Sequence, residues 1–145
     1  MSYQIVPVLI CERGTRWRDA VRRFWGPFQH APTTEAMPSR SEVLFQTHAI
    51  SLKKMRSAVA SFSTTSVVLW EDDEDAFSRI AETVFQIAAM NRDVVQSLGQ
   101  SRALELATHR RALVFQELGV EMVLPSPETL SIFRSSLQTT VNSSR

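Results

Sequence analysis

Five short apolar runs recur along the chain, and each is followed by a segment in which apolar residues return every three or four positions. A continuous apolar run of this length is typical of a strand whose two faces are both covered, and the longer period is typical of an amphipathic helix. Their alternation predicts a doubly wound α/β domain built on a parallel sheet. In such a domain, functional groups collect at the carboxyl ends of the strands.

The first predicted strand is limited by a proline. Pro7 has no N–H to donate to a neighbouring strand, so we expect the paired part of this strand to run only over 8–11. The other four runs contain no proline, and each ends near a polar or charged residue. They predict strands at 43–45, 67–70, 94–98 and 120–124.

The segment after the first strand is typical of an amphipathic helix. Thr15 is the predicted N-cap, and Gly26-Pro27 ends the helix. Its apolar face carries Trp17, Ala20, Val21, Phe24 and Trp25. Four further helices are predicted. The second begins at about Ser51, and the third follows the acidic run 71–75. The fourth covers 101–118 and ends before Gly119, and the fifth begins at Ser126-Pro127-Glu128.

Length, composition and charge fit one compact domain. The chain has 145 residues and 43% of them are apolar, so we expect a single domain at 1–141, with a long surface loop at 26–41 and a polar tail at 142–145. Lysine and arginine total 16 against 15 for aspartate and glutamate, so we expect no global attraction to nucleic acid or to anionic lipid.

The single cysteine and the first residues bear on location. Cys11 has no second cysteine to pair with, which excludes an internal disulfide and a cysteine-rich metal site. It is interpreted as a buried apolar side chain, with a reactive thiol near Arg13 as the alternative.

The first residues form too short an apolar stretch to span a bilayer and lack a cleavable leader, so we expect a cytoplasmic protein without membrane insertion.

The order of the elements and one local stretch carry a resemblance to a known family. Residues 119–125, GVEMVLP, are similar to the receiver-domain stretch that runs from a glycine through the fifth strand to a Lys-Pro pair, with Pro125 at the proline position. Over nearly its whole length the chain resembles the receiver domain of two-component response regulators. The resemblance implies a flavodoxin-like (βα)5 fold with parallel strands in the order 2-1-3-4-5.

The same resemblance implies a phosphorylation site whose parts have changed. A working receiver uses an acidic pair for Mg²⁺, a phospho-accepting aspartate, a hydroxyl and a lysine, which neutralise the charge that develops during phosphoryl transfer. The matching positions are Glu12 and Arg13 at the acidic pair, Glu71 at the acceptor, Ser97 or Leu98 at the hydroxyl, and Leu124 at the lysine, before Pro125. With the metal pair, the acceptor and the lysine all altered, we expect no phosphotransfer, no bound metal and no cofactor.

Arg13 and Glu71, at neighbouring strand ends, leave two interpretations open. In the first, Glu71 imitates a phosphorylated acceptor and pairs with Arg13, which holds the domain in one conformation. In the second, the pair is a solvated surface contact that contributes at most about 1 kcal/mol. The second interpretation is favoured, because surface ion pairs are common and seldom decide a conformation.

Other kinds of site have little support in the sequence. The acidic run 71–75 lacks the spacing and the glycine of an EF-hand, and acids at a helix start are stabilised without any ion. No glycine-rich phosphate loop and no dinucleotide fingerprint is present. The three histidines are scattered, with no serine or cysteine nucleophile placed beside any of them.

The sequence favours a non-enzymatic signalling or scaffolding module that acts through protein–protein interaction. The receiver resemblance implies that a partner docks on the first helix, or on the fourth helix and the fifth strand. Arg16 and Arg23, seven residues apart on the first helix, are the predicted partner surface. A homodimer through the last helix is a further hypothesis, although the same apolar stripe would also pack on the sheet. That stripe consists of Leu130, Phe133, Leu137 and Val141. Two alternatives stay open, namely a small-ligand binder or enzyme that uses the strand-end crevice, and a less favoured nucleic-acid accessory domain.

Overall fold

The computed structural model describes residues 3–26 and 42–143, in which five strands alternate with five α-helices. The strands are β1 (Tyr3–Cys11), β2 (Glu42–Ala49), β3 (Ser66–Glu71), β4 (Val94–Gly99) and β5 (Val120–Leu124). The helices are α1 (Arg16–Trp25), α2 (Met55–Ser61), α3 (Phe77–Ala88), α4 (Leu106–Leu118) and α5 (Leu130–Ser143). Short 3₁₀ turns at Leu52–Lys54, Glu74–Ala76 and Pro127–Thr129 lead into α2, α3 and α5.

All five strands belong to one parallel sheet in the order β2-β1-β3-β4-β5. Helices α1 and α5 cover one face of this sheet, and α2, α3 and α4 cover the other. The predicted α/β class, the parallel sheet and the strand order are therefore confirmed, and the fold is flavodoxin-like. Because the strands are parallel, all of their carboxyl ends meet at one edge.

Pro7 lies inside β1, not at its start. The strand pairs with β2 from Tyr3 to Ile10, so the prediction that pairing begins at Val8 is wrong on this side. On the other side the prediction is right, because pairing with β3 begins at Val8. Up to Pro7, then, β1 has a neighbour on one side only, and such edge positions tolerate a residue without an N–H.

Two separate cores hold the helices on the sheet. The predicted apolar face of α1 is confirmed, since Trp17, Ala20, Val21 and Trp25 are buried. Trp25 also donates its indole N–H to the backbone oxygen of Leu130 at 2.7 Å, which ties α1 to α5. The core residues of α5 are Leu130 and Leu137, both almost fully buried. This part of the predicted dimer stripe therefore packs inside the domain, and the side chain of Val141 lies outside the described residues.

The chain ends and one connection lie partly outside the described residues. Of the predicted loop at 26–41, only Gly26 is described, and of the predicted tail at 142–145, the first two residues continue α5. In the described part of the chain, no helix has the length and apolar character needed to cross a membrane.

Candidate functional site

The carboxyl ends of β1 and β3 bring Glu12, Arg13 and Glu71 together. Cys11 at the end of β1 is in register with Trp70 in β3, so the residues that follow each strand are neighbours. The backbone N–H of Arg13 donates to Oε1 of Glu71 at 3.1 Å. The three side chains that sequence analysis places in a strand-end crevice thus lie at one edge of the sheet.

Glu12 caps helix α1. Its Oε1 accepts the backbone N–H of Trp17 at 2.8 Å, and its Oε2 accepts that of Arg18 at 2.9 Å. Thr15 stands at the predicted N-cap position, but its side chain makes no capping bond and instead donates to Asp19 at 2.9 Å. Because both carboxylate oxygens of Glu12 satisfy free N–H groups at a positive helix end, the residue is committed to the fold.

Arg13 pairs with an aspartate that sequence analysis did not select. Its Nε lies 2.7 Å from Oδ2 of Asp73 and its Nη2 lies 3.1 Å from Oδ1, with Asp75 further away at 3.4 Å. The hydrogen bond and the charge of Asp73 raise the pKa of the Arg13 guanidinium. The predicted ion pair between Arg13 and Glu71 is therefore wrong, since the link to Glu71 runs through the backbone. Neither interpretation of that pair therefore holds, and the exposed guanidinium makes its solvated contact with Asp73 instead.

Trp17 covers the carboxyl end of β4. A Cβ atom added to Gly99 would lie 2.4 Å from Cε2 of the Trp17 ring, so the indole rests directly on the glycine backbone. The ring is fully buried, and its Nε1 has no hydrogen-bond partner among the described residues. Sequence analysis assigned Trp17 to the core but did not indicate that it fills the space above the strand ends.

The two candidates for the hydroxyl position lie inside the sheet. Ser97 is buried and donates to the backbone oxygen of Val68 in β3 at 2.9 Å, and Leu98 is fully buried. Both fall short of the crevice because β4 continues to Gly99, one residue beyond the predicted end. The residue at the end of this strand has no side chain to offer.

The fifth strand ends without a polar side chain. Leu124 is fully buried in the core beneath α1 and α5, and its backbone oxygen accepts the N–H of Gln100 at 2.9 Å. Pro125 follows it and is exposed. The position that the receiver resemblance gives to a lysine is thus part of the apolar core.

Cys11 lies half-buried beside the acidic groups of the strand ends. Burial, and then the charges of Glu71, Asp73 and Glu12, raise the pKa of the Cys11 thiol to about 11. A thiol with so high a pKa stays protonated at neutral pH and is a poor nucleophile. The alternative of a reactive thiol near Arg13 is therefore not supported, because burial and the neighbouring carboxylates both favour the protonated thiol.

A second ion pair, between Arg111 on α4 and Asp72, had no signal in the sequence. Nε and Nη2 of Arg111 each lie 2.9 Å from one oxygen of Asp72, and Nη2 also lies 3.3 Å from Oγ1 of Thr108. The bond to Asp72 raises the pKa of the Arg111 guanidinium. Three acids of the run 71–75 are thus held by arginines, namely Asp72, Asp73 and Asp75. The described residues contain no group of His, Cys, Asp or Glu side chains arranged for a metal ion.

Comparison with known proteins adds no relative. No protein-family model, curated protein or solved structure matches this chain. Its function is therefore argued from its own geometry. At the strand ends, that geometry consists of polar groups that bind one another and an indole that packs on Gly99 at the end of β4.

The predicted partner surface on α1 is exposed and ordered by aromatic rings. The guanidinium of Arg16 lies 5.3 Å from the ring centre of Trp17, and Arg16 also donates to the backbone oxygen of Gln100 at 3.4 Å. The guanidinium of Arg23 lies 5.2 Å from the ring centre of Phe24. Stacking on a ring orients each cation but leaves its edge open to solvent.

Helix α4, one of the docking surfaces that the receiver resemblance implies, has a second apolar face that sequence analysis did not describe. Its inner face contributes Thr108, Ala112 and Phe115 to the core. On the opposite side, Leu106 is 62% exposed and Leu113 is 48% exposed. Leu104, just before the helix, and Val114 extend this outer face. The sequence signal was present, because apolar residues on both sides of a helix indicate that both sides are covered.

Proposed function

We propose that this chain is a non-enzymatic signalling or scaffolding module that binds a partner protein through the outer face of α4. The observation that carries the proposal is the exposure of Leu106 and Leu113 on a helix whose inner face already packs in the core. A surface helix of a domain that acts alone normally turns polar residues to solvent. Exposed apolar residues grouped on one face of a helix are typical of interaction sites.

The shape and charge of the α4 face suit a helix of the partner. Leu106 and Leu113 are seven residues apart, so they lie on one side of the helix about 10.5 Å apart along its axis. Arg110 and Glu117 are exposed on the same side and carry opposite charges. We therefore expect a partner helix with an apolar stripe flanked by charges of both signs, in the helix-on-helix mode of recognition. A second copy of this chain is one such partner.

The strand-end groups support a role without catalysis. Glu12 is used as a helix cap, Arg13 pairs with Asp73, and Leu124 lies in the core. Among the residues that the structure describes, these contacts leave no cluster of free polar side chains to bind a substrate at the strand ends, which disfavours the alternative of a ligand-binding crevice. Kinship with receiver domains is part of the proposal, and it is supported by the strand order and by the position of Glu71 at the end of β3.

The ion pair between Arg111 and Asp72 suggests how the docking helix is held. Asp72 follows β3, whereas Arg111 is on the buried side of α4, so the pair joins this helix to the strand ends. In a receiver-like domain with a degenerate site, such a bond would keep α4 in one position without phosphorylation. The module would then be constitutively able to bind its partner.

The proposal is tested by crosslinking followed by measured affinity. A photo-crosslinking amino acid is placed at Leu113, or at the exposed Ile132 on α5 as the control, and expressed in the native host. A protein that is crosslinked from position 113 but not from position 132 is purified, and its affinity for the chain is measured by calorimetry. We expect Leu106→Glu/Leu113→Glu to weaken binding by at least about thirtyfold, as for the centre of an interface, and Ile132→Glu to leave it unchanged.

Two results would contradict the proposal. One is wild-type affinity in the Leu106→Glu/Leu113→Glu variant with the captured protein. The other is a gain of one phosphoryl group, measured by mass, when the chain is incubated with acetyl phosphate and Mg²⁺. If the captured protein is the chain itself, sedimentation equilibrium replaces calorimetry, and loss of the dimer in the double variant supports the proposal.

A further inference from the structure

A groove lies between α2 and α3, separate from the strand ends and from the outer face of α4. It has a volume of about 600 Å³. Sites for small molecules commonly fall between about 300 and 1,000 Å³. The residues that matter for its chemistry are Lys53, Arg56 and Ala60 on the α2 side, and Phe85, Ala89 and Met90 on the α3 side.

The groove has an apolar floor that is open to solvent. Phe85 is 58% exposed, and the half-buried Met90 lies one turn further along the chain. The alanines on the two sides keep the groove wide, because their methyl groups do not fill it. An exposed aromatic ring beside a flexible thioether can adapt to an incoming apolar side chain.

The rim of the groove is basic. Lys53 and Arg56 are exposed, and neither forms an ion pair within the part of the chain that the structure describes. The residues that line the groove include no acid. Arg56 donates to the neutral side chain of Gln86 at 3.1 Å, and Gln86 in turn donates to Glu82 at 3.3 Å. An anionic ligand would therefore meet two cations without displacing a salt bridge.

We propose that this groove binds an acidic segment of a partner protein, with one aromatic or aliphatic side chain placed on Phe85 and carboxylates near Lys53 and Arg56. A short segment docked between two helices uses this combination of an apolar anchor and surrounding charge. The site is distinct from the α4 face, so it gives the module a second ligand. It stands or falls independently of the proposed function.

Two other kinds of ligand fit the groove less well. Most of its lining residues are exposed, so it would not bury the large share of a small molecule that a metabolite site normally does. Nucleic acid binds to broad basic surfaces that follow the phosphate backbone, whereas this groove has two cations around an apolar floor.

The test uses two synthetic peptides and the full chain. The first peptide is rich in glutamate, with leucine and phenylalanine along one helical face, and in the second lysine replaces every glutamate. Backbone amide shifts map each titration by NMR. We expect the acidic peptide to move amides at 53–60 and 85–90, and the basic peptide to leave them unmoved. Affinity should fall at least about tenfold in Lys53→Glu/Arg56→Glu and in Phe85→Ala.

Matched variants separate this site from general effects of charge and exposure. Arg22→Glu/Arg134→Glu makes the same change in net charge on α1 and α5, across the sheet, and Ile132→Ala removes an exposed apolar side chain from α5. Both should bind the acidic peptide like the wild type. The proposal is overturned if the acidic peptide moves no groove amide, if both peptides bind equally, or if the control variants lose as much affinity. Binding of single-stranded DNA that depends on Lys53 and Arg56 but not on Phe85 would also overturn it.

Discussion

Arg111 and Asp72 form a two-point ion pair that is almost closed to solvent. Their side chains are 16% and 3% exposed, and both nitrogen–oxygen distances are 2.9 Å. The two residues are 39 positions apart in the sequence, and they fasten α4 to the end of β3. A carboxylate buried to this degree depends on its partner, because the cost of removing it from water is large.

Removing the arginine should therefore destabilise the fold. Arg111→Ala leaves the charge of Asp72 buried without compensation, and we expect a loss of about 3 kcal/mol in the free energy of unfolding. Arg110→Ala, at the exposed neighbouring position, is the control and should change it by less than about 0.5 kcal/mol. Urea unfolding followed by circular dichroism measures both. Equal stability of the two variants would show that the pair is not important to the fold.

The capping role of Glu12 gives a second prediction. Glu12→Ala removes the acceptor for two backbone N–H groups of α1, and we expect a loss of about 1 kcal/mol in unfolding free energy. Thr15→Ala changes the residue at the N-cap position, whose side chain makes no capping bond, and should have a smaller effect. The same urea titration compares them. A larger loss for Thr15→Ala would assign the cap to the threonine.

The contact between Trp17 and Gly99 gives a third prediction. Gly99→Ala places a methyl group inside the space of the indole, so we expect a loss of about 1–3 kcal/mol. Gly14→Ala is the control, because nothing lies within 4 Å of the added carbon. Trp17→Leu should cost less in the Gly99→Ala background than in the wild type, because the clash is then absent. Additive losses in this double-mutant cycle would refute the direct contact.

The thiol of Cys11 gives a fourth prediction, which concerns pH. Its pKa is raised from 9.0 to about 11, so the folded chain should react slowly with iodoacetamide at neutral pH and faster as the pH approaches 11. Because the folded state binds this proton more tightly, the associated stability is complete below pH 9 and is lost as the pH rises toward 11. Alkylation rates across this range, compared with those in urea, measure the shift.

A carboxylate variant tests the cause of the raised pKa. Glu71→Gln keeps the oxygen that accepts the Arg13 N–H but removes a charge near the thiol. We therefore expect alkylation of the folded chain at pH 9 to become faster. Glu82→Gln, on the surface of α3, is the matched control and should react at the wild-type rate. A rate at Cys11 that is the same in both variants would remove Glu71 as a cause and leave burial with the charges of Asp73 and Glu12.

Periodicity was enough to predict the fold because it reports which faces of each element are covered. The predicted strands at 67–70 and 120–124 agree closely with β3 and β5. The second strand is longer than its apolar run, since β2 continues through Gln46, Thr47 and His48 to Ala49. An edge strand needs fewer apolar residues than a central one, so its polar end gave no strand signal.

The site was harder to predict because its contacts depend on side-chain direction. Glu12, Arg13 and Glu71 were correctly placed at one edge, since parallel strands fix that proximity. Arg13 pairs with Asp73 and not with Glu71, and Arg111 pairs with Asp72. Both pairings depend on how the chain turns after β3. Neither partner could be predicted from the sequence, because the acids of the run 71–75 look equivalent there.

The burial of the indoles has a practical consequence for every variant described above. Trp17, Trp25 and Trp70 are the three tryptophans of the chain, and all are at most 3% exposed. Tryptophan fluorescence therefore reports on the interior of the domain, and it should not change when a ligand binds to α4 or to Phe85. An unchanged spectrum together with lost affinity identifies a damaged surface, whereas a red shift identifies a chain that has opened.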